Sequence, residues 1–385
     1  FFALDCNPGF GKSTTLNQIA AEALVRADAA GDRCPEQQLC VISFSREDAA
    51  SIEPGIRDAL DAFAEDTDGA YPVQISLETA DRLKRRLQVT DHIGTIDSVL
   101  RGIFEDIASE LGFDGMPSVG NASQLSLLRQ DCIASVRQDD AYSDQCTRLD
   151  TAYPTAADSD DESDDRLHTL LEDARAKKRD RRLSIDDFEA QLRDTVTDVY
   201  PSGPPETLGD LLGDIRTFYD DDVATDFAAQ QPPETAEETN EAVKDDQECY
   251  EEWLTCIEEF CTVLEGYERA YDTACREQGV VSHADIAYWI AEYFDNPLED
   301  IADADKSASE EYRARVKARY TAKFQSLLID EAQDISIAQH DALAPFVTDE
   351  TRVLMAGDVD QCIYVWRNAR PEQFVTGFKR GEYFE

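Results

Sequence analysis

The strongest constraint on the fold is a pair of short apolar runs that end in carboxylates. Leu327-Leu328-Ile329 leads into Asp330-Glu331-Ala332-Gln333-Asp334, and Leu354-Met355-Ala356 leads into Gly357-Asp358-Val359-Asp360-Gln361-Cys362-Ile363-Tyr364-Val365-Trp366-Arg367. Short continuous apolar runs suit strands buried on both faces, as in a parallel sheet covered by helices. Polar residues grouped at the ends of such strands fall on the carboxyl edge, where open α/β sheets bind ligands.

The first residues supply a complementary half. Phe1 to Leu4 reads as another buried strand, and Asp5-Cys6-Asn7-Pro8-Gly9-Phe10-Gly11-Lys12-Ser13-Thr14 reads as a phosphate loop opening a helix. Backbone N–H groups of such a loop cradle phosphates, and the helix N-terminus adds its dipole. The lysine reaches the β/γ-phosphates and the following hydroxyl sits on Mg²⁺. The generic pattern has Gly where this chain has Cys6, but a small residue there still makes the turn. Residues Cys6, Asn7, Pro8, Gly9, Phe10, Gly11, Lys12, Ser13 and Thr14 are therefore the expected nucleotide-binding set, with Ser13 facing the metal.

Between these ends the pattern alternates and then changes. Leu39 to Phe44 reads as a strand, followed by a helix with Ala49, Ala50, Ile52, Ile56 and Leu60 at helical spacing. Val73 to Leu77 and Leu87 to Ile93 read as further short strands. Gly94-Thr95-Ile96-Asp97-Ser98 leads into a helix reaching about Leu111, with Leu100, Ile103, Phe104 and Ile107 on one face.

From about Met116 to Gly279 no strand stands out. Helices are expected over Gln124 to Arg137, Asp165 to Arg181, Ser184 to Val199, Glu206 to Tyr219 and Thr235 to Gln278, with solvated tracts at 158–165 and 230–234. The sheet resumes with Phe324 to Ile329, a helix near Ala338 to Phe346 and a strand from Arg352 to Ala356. The expected organisation is an α/β lobe over 1–112 and 281–385, interrupted by an all-α insertion over 113–280.

Asp plus Glu number 82 against 36 Lys plus Arg, a formal charge of -46, while hydrophobic residues keep an ordinary 42% share. Such a chain folds, but its surface opposes a polyanionic partner at low salt. Adaptation to very high salt resolves the conflict, because the Debye length falls to about 3 Å near 1 M and the carboxylates cease to repel one another. Dilution from molar KCl to about 0.1 M salt is expected to unfold or aggregate the protein, as followed by circular dichroism and light scattering. A chain that stays folded and monodisperse on dilution would remove the halophilic reading.

The ten cysteines form no Cys-x-x-Cys pair and the four histidines are scattered, which suggests neither a zinc site nor a disulfide framework. No apolar run approaches the length of about 18 residues that a membrane span needs, and no basic region precedes an apolar stretch at the start. A cytoplasmic chain with no membrane partner is expected. Arg82, Lys84, Arg85 and Arg86, then Lys177, Lys178, Arg179, Arg181 and Arg182, are the visible basic clusters. They fit a DNA path and solvated helix faces equally well.

Taken in order along the chain, these motifs resemble the UvrD/Rep family of superfamily 1 DNA helicases. The family has a small residue where Cys6 stands, and its next motif is similar to Ser43-Phe44-Ser45 with Ala49 and Ala50. Gly94-Thr95-Ile96-Asp97-Ser98 resembles its Gly-Thr-Phe-His motif with Asp97 in place of His, and the segment before Asp285 is similar to its Asp-Phe-x-Asp-Leu segment.

The resemblance implies a P-loop NTPase of RecA-like fold using ATP and Mg²⁺. Lys12, Glu331 and Gln361 would be catalytic: Asp330 would join Ser13 in holding the metal, Glu331 would deprotonate the attacking water and Gln361 would sense the γ-phosphate. Phe44, Ser45, Thr95, Tyr364, Trp366 and Arg367 would meet single-stranded DNA, although Tyr364 and Trp366 at that spacing could also simply pack.

The implied activity is ATP-dependent translocation on single-stranded DNA, represented by the first RecA-like lobe, with 3′-to-5′ unwinding in repair or recombination. Two other readings remain open: a nucleotide-gated DNA-binding or regulatory module without motor activity, and the helicase part of a helicase-nuclease. By the resemblance, a second RecA-like lobe and its arginines are expected outside this stretch. Transition-state arginines are worth about 10³–10⁵ in rate, so this stretch alone is expected to turn over little ATP.

Overall fold

The structure is a computed structural model that describes residues 2–5, 11–88, 90, 92–152, 166–199, 236–296 and 303–358. It divides into two compact units, one comprising Phe1–Pro117 with Ser282–Glu385 and the other Ser118–Val281.

The first unit is built on a five-stranded parallel sheet. Its strands are β1 (Phe2–Asp5), β2 (Leu39–Ser43), β3 (Ile93–Thr95), and, after the second unit, β6 (Ser326–Ile329) and β7 (Arg352–Gly357), in the spatial order β1-β7-β6-β2-β3. Every neighbour pair is parallel, with Asp5 beside Gly357 and Ile42 beside Ile329. The first and last described strands thus lie side by side at one edge of the sheet.

Helices α1 (Lys12–Ala29), α2 (Arg46–Glu65) and α3 (Leu77–Leu87) share a core with one face of this sheet. Leu16, Ala20 and Leu24, then Ile52, Ile56, Leu60 and Phe63, then Ala80, Leu83 and Leu87 pack with Val41, Leu328 and Leu354. Each such leucine contributes about 1.5–3 kcal/mol by leaving water. Helix α4 (Ile96–Ile107), the loop that follows it and one later helix of this unit, labelled below, bring together Phe104, Phe113 and Trp289, with Phe104 and Trp289 stacked at 5.8 Å.

Two expected strands are corrected. Residues 73–76 form no strand: Val73 and Ile75 pack partly buried on the core, and Leu77 opens α3 behind the Ser76 cap. Leu87 closes that helix and the following strand is only Ile93–Thr95. Ala80, Leu83 and Leu87 recur at three and four residues, the helical period, which a short window centred on Leu87 does not reveal.

The second unit contains β4 (Ser118–Val119), α5 (Ala122–Gln138), α6 (Ser143–Ala152), α7 (Arg166–Asp180), α8 (Ile185–Val199), α9 (Ala236–Gln278) and β5 (Val280–Val281). The expectation of an all-α segment is corrected by β4 and β5, which pair in parallel over two residues each, with Gly279 at φ 62° turning the chain out of α9. The expected helix from Glu206 to Tyr219 and the tracts 158–165 and 230–234 lie outside the described residues.

The basic tract of α7 has a different role from either expectation. Lys178 and Arg179 are buried and paired with α9, Lys178 to Glu268 at 2.9 Å and Arg179 to Asp272 at 2.7 Å. Arg175 lies 3.8 Å over the Tyr271 ring. In the first unit Arg82 pairs with Asp28 at 2.6 Å and Lys84 with Asp61 at 2.6 Å. These cations neutralise carboxylates of their own fold; the two buried ones are interior pairs whose rupture would strand a charge.

The first unit is completed by α10 (His283–Asp295), α11 (Asp303–Lys323) and α12 (Ile337–Leu343). Ser282 and Ser336 begin α10 and α12 with capping boxes to Asp285 and Gln339, each satisfying two helix-end donors. Among the described residues no helix is long and apolar enough to cross a membrane.

Candidate active site

The site forms where β1, β2, β6 and β7 end. Gly11 adopts a left-handed conformation at φ 81° and caps α1, the backbone state that a glycine reaches without strain. Lys12 begins the helix and is 8% exposed, and its Nζ has no hydrogen-bond partner among the described residues. A buried ammonium without acceptors is costly, and phosphate oxygens are the acceptors that would satisfy it.

Ser13 joins the two halves of the sequence. Its Oγ donates to Asp330 Oδ2 at 3.0 Å, while the Asp330 backbone N–H donates to Ile42 O at 2.8 Å and extends the β6–β2 ladder. Asp330 is 2% exposed. Burial pushes its carboxyl above the ordinary range, opposed by the Ser13 hydrogen bond and reinforced by the neighbouring Glu331 charge. A divalent cation would reverse that desolvation cost. Magnesium needs only one or two protein ligands when phosphates and waters supply the rest, and Ser13 with Asp330 fits that requirement.

Glu331 follows in a left-handed conformation, φ 52° and ψ 44°. For a residue with a side chain this stores about 1–3 kcal/mol, a pattern that clusters at functional sites. Its N–H donates to Asp330 Oδ1 at 3.1 Å. Its carboxylate accepts from Gln333 Nε2 at 2.7 Å, and Gln333 Oε1 accepts from the Asp358 N–H at 3.1 Å. Nothing in the sequence singles out Gln333 beyond its place inside Asp330-Glu331-Ala332-Gln333-Asp334.

Of the residues expected to meet DNA, Ser45 and Thr95 cap helices. Ser45 Oγ accepts from Asp48 N at 3.0 Å at the start of α2, and Thr95 Oγ1 accepts from Ser98 N at 3.2 Å at the start of α4. Phe44 is partly buried between β2 and α2. Asp97 accepts from Gln339 Nε2 at 3.3 Å and stands 3.8 Å from His283 Nδ1. Cys6, Asn7, Pro8, Gly9 and Phe10 of the loop, and Gln361, Tyr364, Trp366 and Arg367, lie outside the described residues.

The profile of the UvrD/REP helicase N-terminal domain matches residues 5–380. The chain belongs to the UvrD/REP helicase family. Membership makes it an α/β domain of the UvrD/REP helicase N-terminal type. It is 40% identical over 60 residues to the ATP-dependent DNA helicase Rep of Escherichia coli (strain K12), covering 16% of this chain and 9% of that protein.

It is 28% identical over 117 residues to an ATP-dependent helicase/nuclease subunit of Geobacillus thermodenitrificans, covering 30% of this chain and 9% of that one. With the like-named protein of Clostridioides difficile the identity is 30% over 113 residues, 29% of this chain and 8% of that protein. The chain thus matches under a tenth of the length of these curated relatives.

Proposed function

We propose that this chain is the ATP-hydrolysing lobe of a single-stranded DNA translocase of UvrD/Rep type, a 3′-to-5′ helicase acting in repair or recombination. The observation that carries the reading is the Ser13–Asp330 hydrogen bond. It brings the phosphate-loop helix and the Asp-Glu strand end into one constellation, with the Lys12 ammonium, which has no hydrogen-bond partner among the described residues, beside it in sequence.

A bound Mg²⁺ would be held by Ser13 and Asp330 and would supply neutralisation of phosphate charge, and Lys12 would bind the phosphates. Glu331 takes the proton of the attacking water, and Gln361 reads whether the γ-phosphate is present. A second RecA-like lobe of the same protein is the partner that completes the pocket.

On the DNA side, Phe44, Ser45 and Thr95 stand at the carboxyl edge of β2 and β3, and Tyr364, Trp366 and Arg367 follow β7 in sequence. Phosphate contacts weaken steeply with salt, so in the molar salt expected for a chain of charge -46 base stacking carries the grip, about 1–3 kcal/mol per base.

ATP turnover by the intact gene product in molar KCl is expected to rise severalfold with oligothymidylate. Nucleotide binding without DNA-stimulated turnover would favour a non-motor module instead. A second reading, the helicase part of a helicase-nuclease, is favoured by the matches to the two helicase/nuclease proteins. Metal-dependent degradation of linear DNA by the intact product would establish it.

A further inference from the structure

Gln333 has no place in the chemistry above, yet it is among the most constrained polar side chains of the site. It is 2% exposed and its amide makes bonds of opposite polarity, Nε2 to Glu331 Oε2 at 2.7 Å and Oε1 from the Asp358 N–H at 3.1 Å. Nε2 also lies 3.4 Å from Asp334 Oδ2. A carboxylate only accepts and a backbone N–H only donates, so a single amide orientation satisfies both ends. A Cβ on Gly357 would come within 2.5 Å of Oε1, so the bare glycine is what admits the amide to β7.

The consequence concerns Glu331. A general base must aim a lone pair at the water it deprotonates, about 2.6–3.2 Å away. Here one carboxylate oxygen is held by a buried amide that is itself anchored to another strand. Both bonds share one planar group, so displacing the Asp358 N–H releases Oε1 and with it the hold of Nε2 on Glu331. Asp358 is the described residue nearest in sequence to Tyr364 and Trp366.

We propose that Gln333 is a positioning residue that restrains Glu331 in the DNA-free state and lets it go when single-stranded DNA binds. The inference rests on the motor reading above and deepens it, by naming the group through which DNA stimulates hydrolysis. DNA can shift this equilibrium only by favouring the released state, and linkage then requires the released state to hold DNA more tightly.

The test is steady-state ATP turnover of the intact gene product, with and without saturating oligothymidylate, for wild type, Gln333→Met and Gly357→Ala. Methionine keeps the side-chain length and neither bond; alanine at 357 keeps the amide and forces it off the strand. DNA-free kcat is expected to rise about 10-fold or more in each variant, the factor that a hydrogen bond to a charged group is worth. The DNA-saturated rate changes little, so the stimulation ratio collapses.

Equal loss of both rates, or an unchanged ratio, overturns the proposal, because a merely structural role lowers the two together. The variants perturb the contact from its two sides, the segment after β6 and the end of β7, so if one fails to fold the other decides. Wild type lacking DNA-stimulated turnover removes the motor reading and this inference with it. Wild-type stimulation with wild-type ratios in the variants removes this inference alone.

Discussion

Glu331→Gln is expected to lower kcat for DNA-stimulated ATP hydrolysis by about 10²–10⁴-fold, the range that a positioned general base contributes, while MgATP still binds. The side chain stands in a left-handed turn directly after Asp330, whose carboxylate faces Ser13 at 3.0 Å. Glutamine is nearly isosteric and still offers an oxygen to Gln333 Nε2, so the fold at this strand end is retained and only the proton acceptor is lost. Single-turnover quench measurements separate the chemical step from nucleotide affinity. A loss under about tenfold, below what general-base removal produces, would reassign the base to another residue.

Asp330→Asn is expected to act in two opposite directions. Burial at 2% exposure raises the carboxyl above its unfolded value, so its ionised form is disfavoured in the folded chain without metal. For a group whose folded pKa is raised, the contribution to stability is fully present below the unfolded pKa and is lost as pH rises through the folded one. Ionising this carboxylate therefore destabilises the metal-free protein. The asparagine variant carries no such cost.

Its Tm in the presence of a chelator should exceed that of wild type at pH values above the ordinary carboxylate range, and the gap should close on acidification as wild-type Asp330 takes up its proton. On the proposed reading of Asp330 as a metal ligand, the same variant is also expected to lose Mg²⁺-dependent nucleotide affinity and turnover. Calorimetric scans across pH with EDTA, beside nucleotide titrations with and without Mg²⁺, measure both effects. A lower Tm for the variant in chelator would show that the Ser13 and Glu331 N–H bonds to Asp330 outweigh its desolvation.

The basic tract of α7 shows why part of the molecule was illegible. Lys178 and Arg179 sit in a run of cations that sequence alone assigns to solvent or to DNA. Their burial follows from Glu268 and Asp272 on α9, about ninety residues along the chain, and a one-dimensional pattern has no means of pairing them. The strands read into residues 73–77 and 87–93 failed for a local reason. Val73 and Ile75 alternate as a strand would, yet they line a loop on the core, while Leu87 belongs to a helical stripe.

The helix start at Lys12 and Ser13, the Asp330-Glu331 strand end and the parallel α/β class were determined by the sequence itself. Phosphate binding and metal-assisted hydrolysis require specific residue types at fixed spacing next to short buried strands, and such requirements are local. Only the tertiary structure decided that Ser13 meets Asp330, that the Lys12 ammonium is buried without a partner among the described residues, and that Gln333 ties Glu331 to the backbone of Asp358. Those contacts depend on strand order β1-β7-β6-β2-β3, which gathers residues from distant parts of the chain at one end of the sheet. Order in a parallel sheet is set by crossover packing of the whole unit and leaves no local trace in the residues it joins.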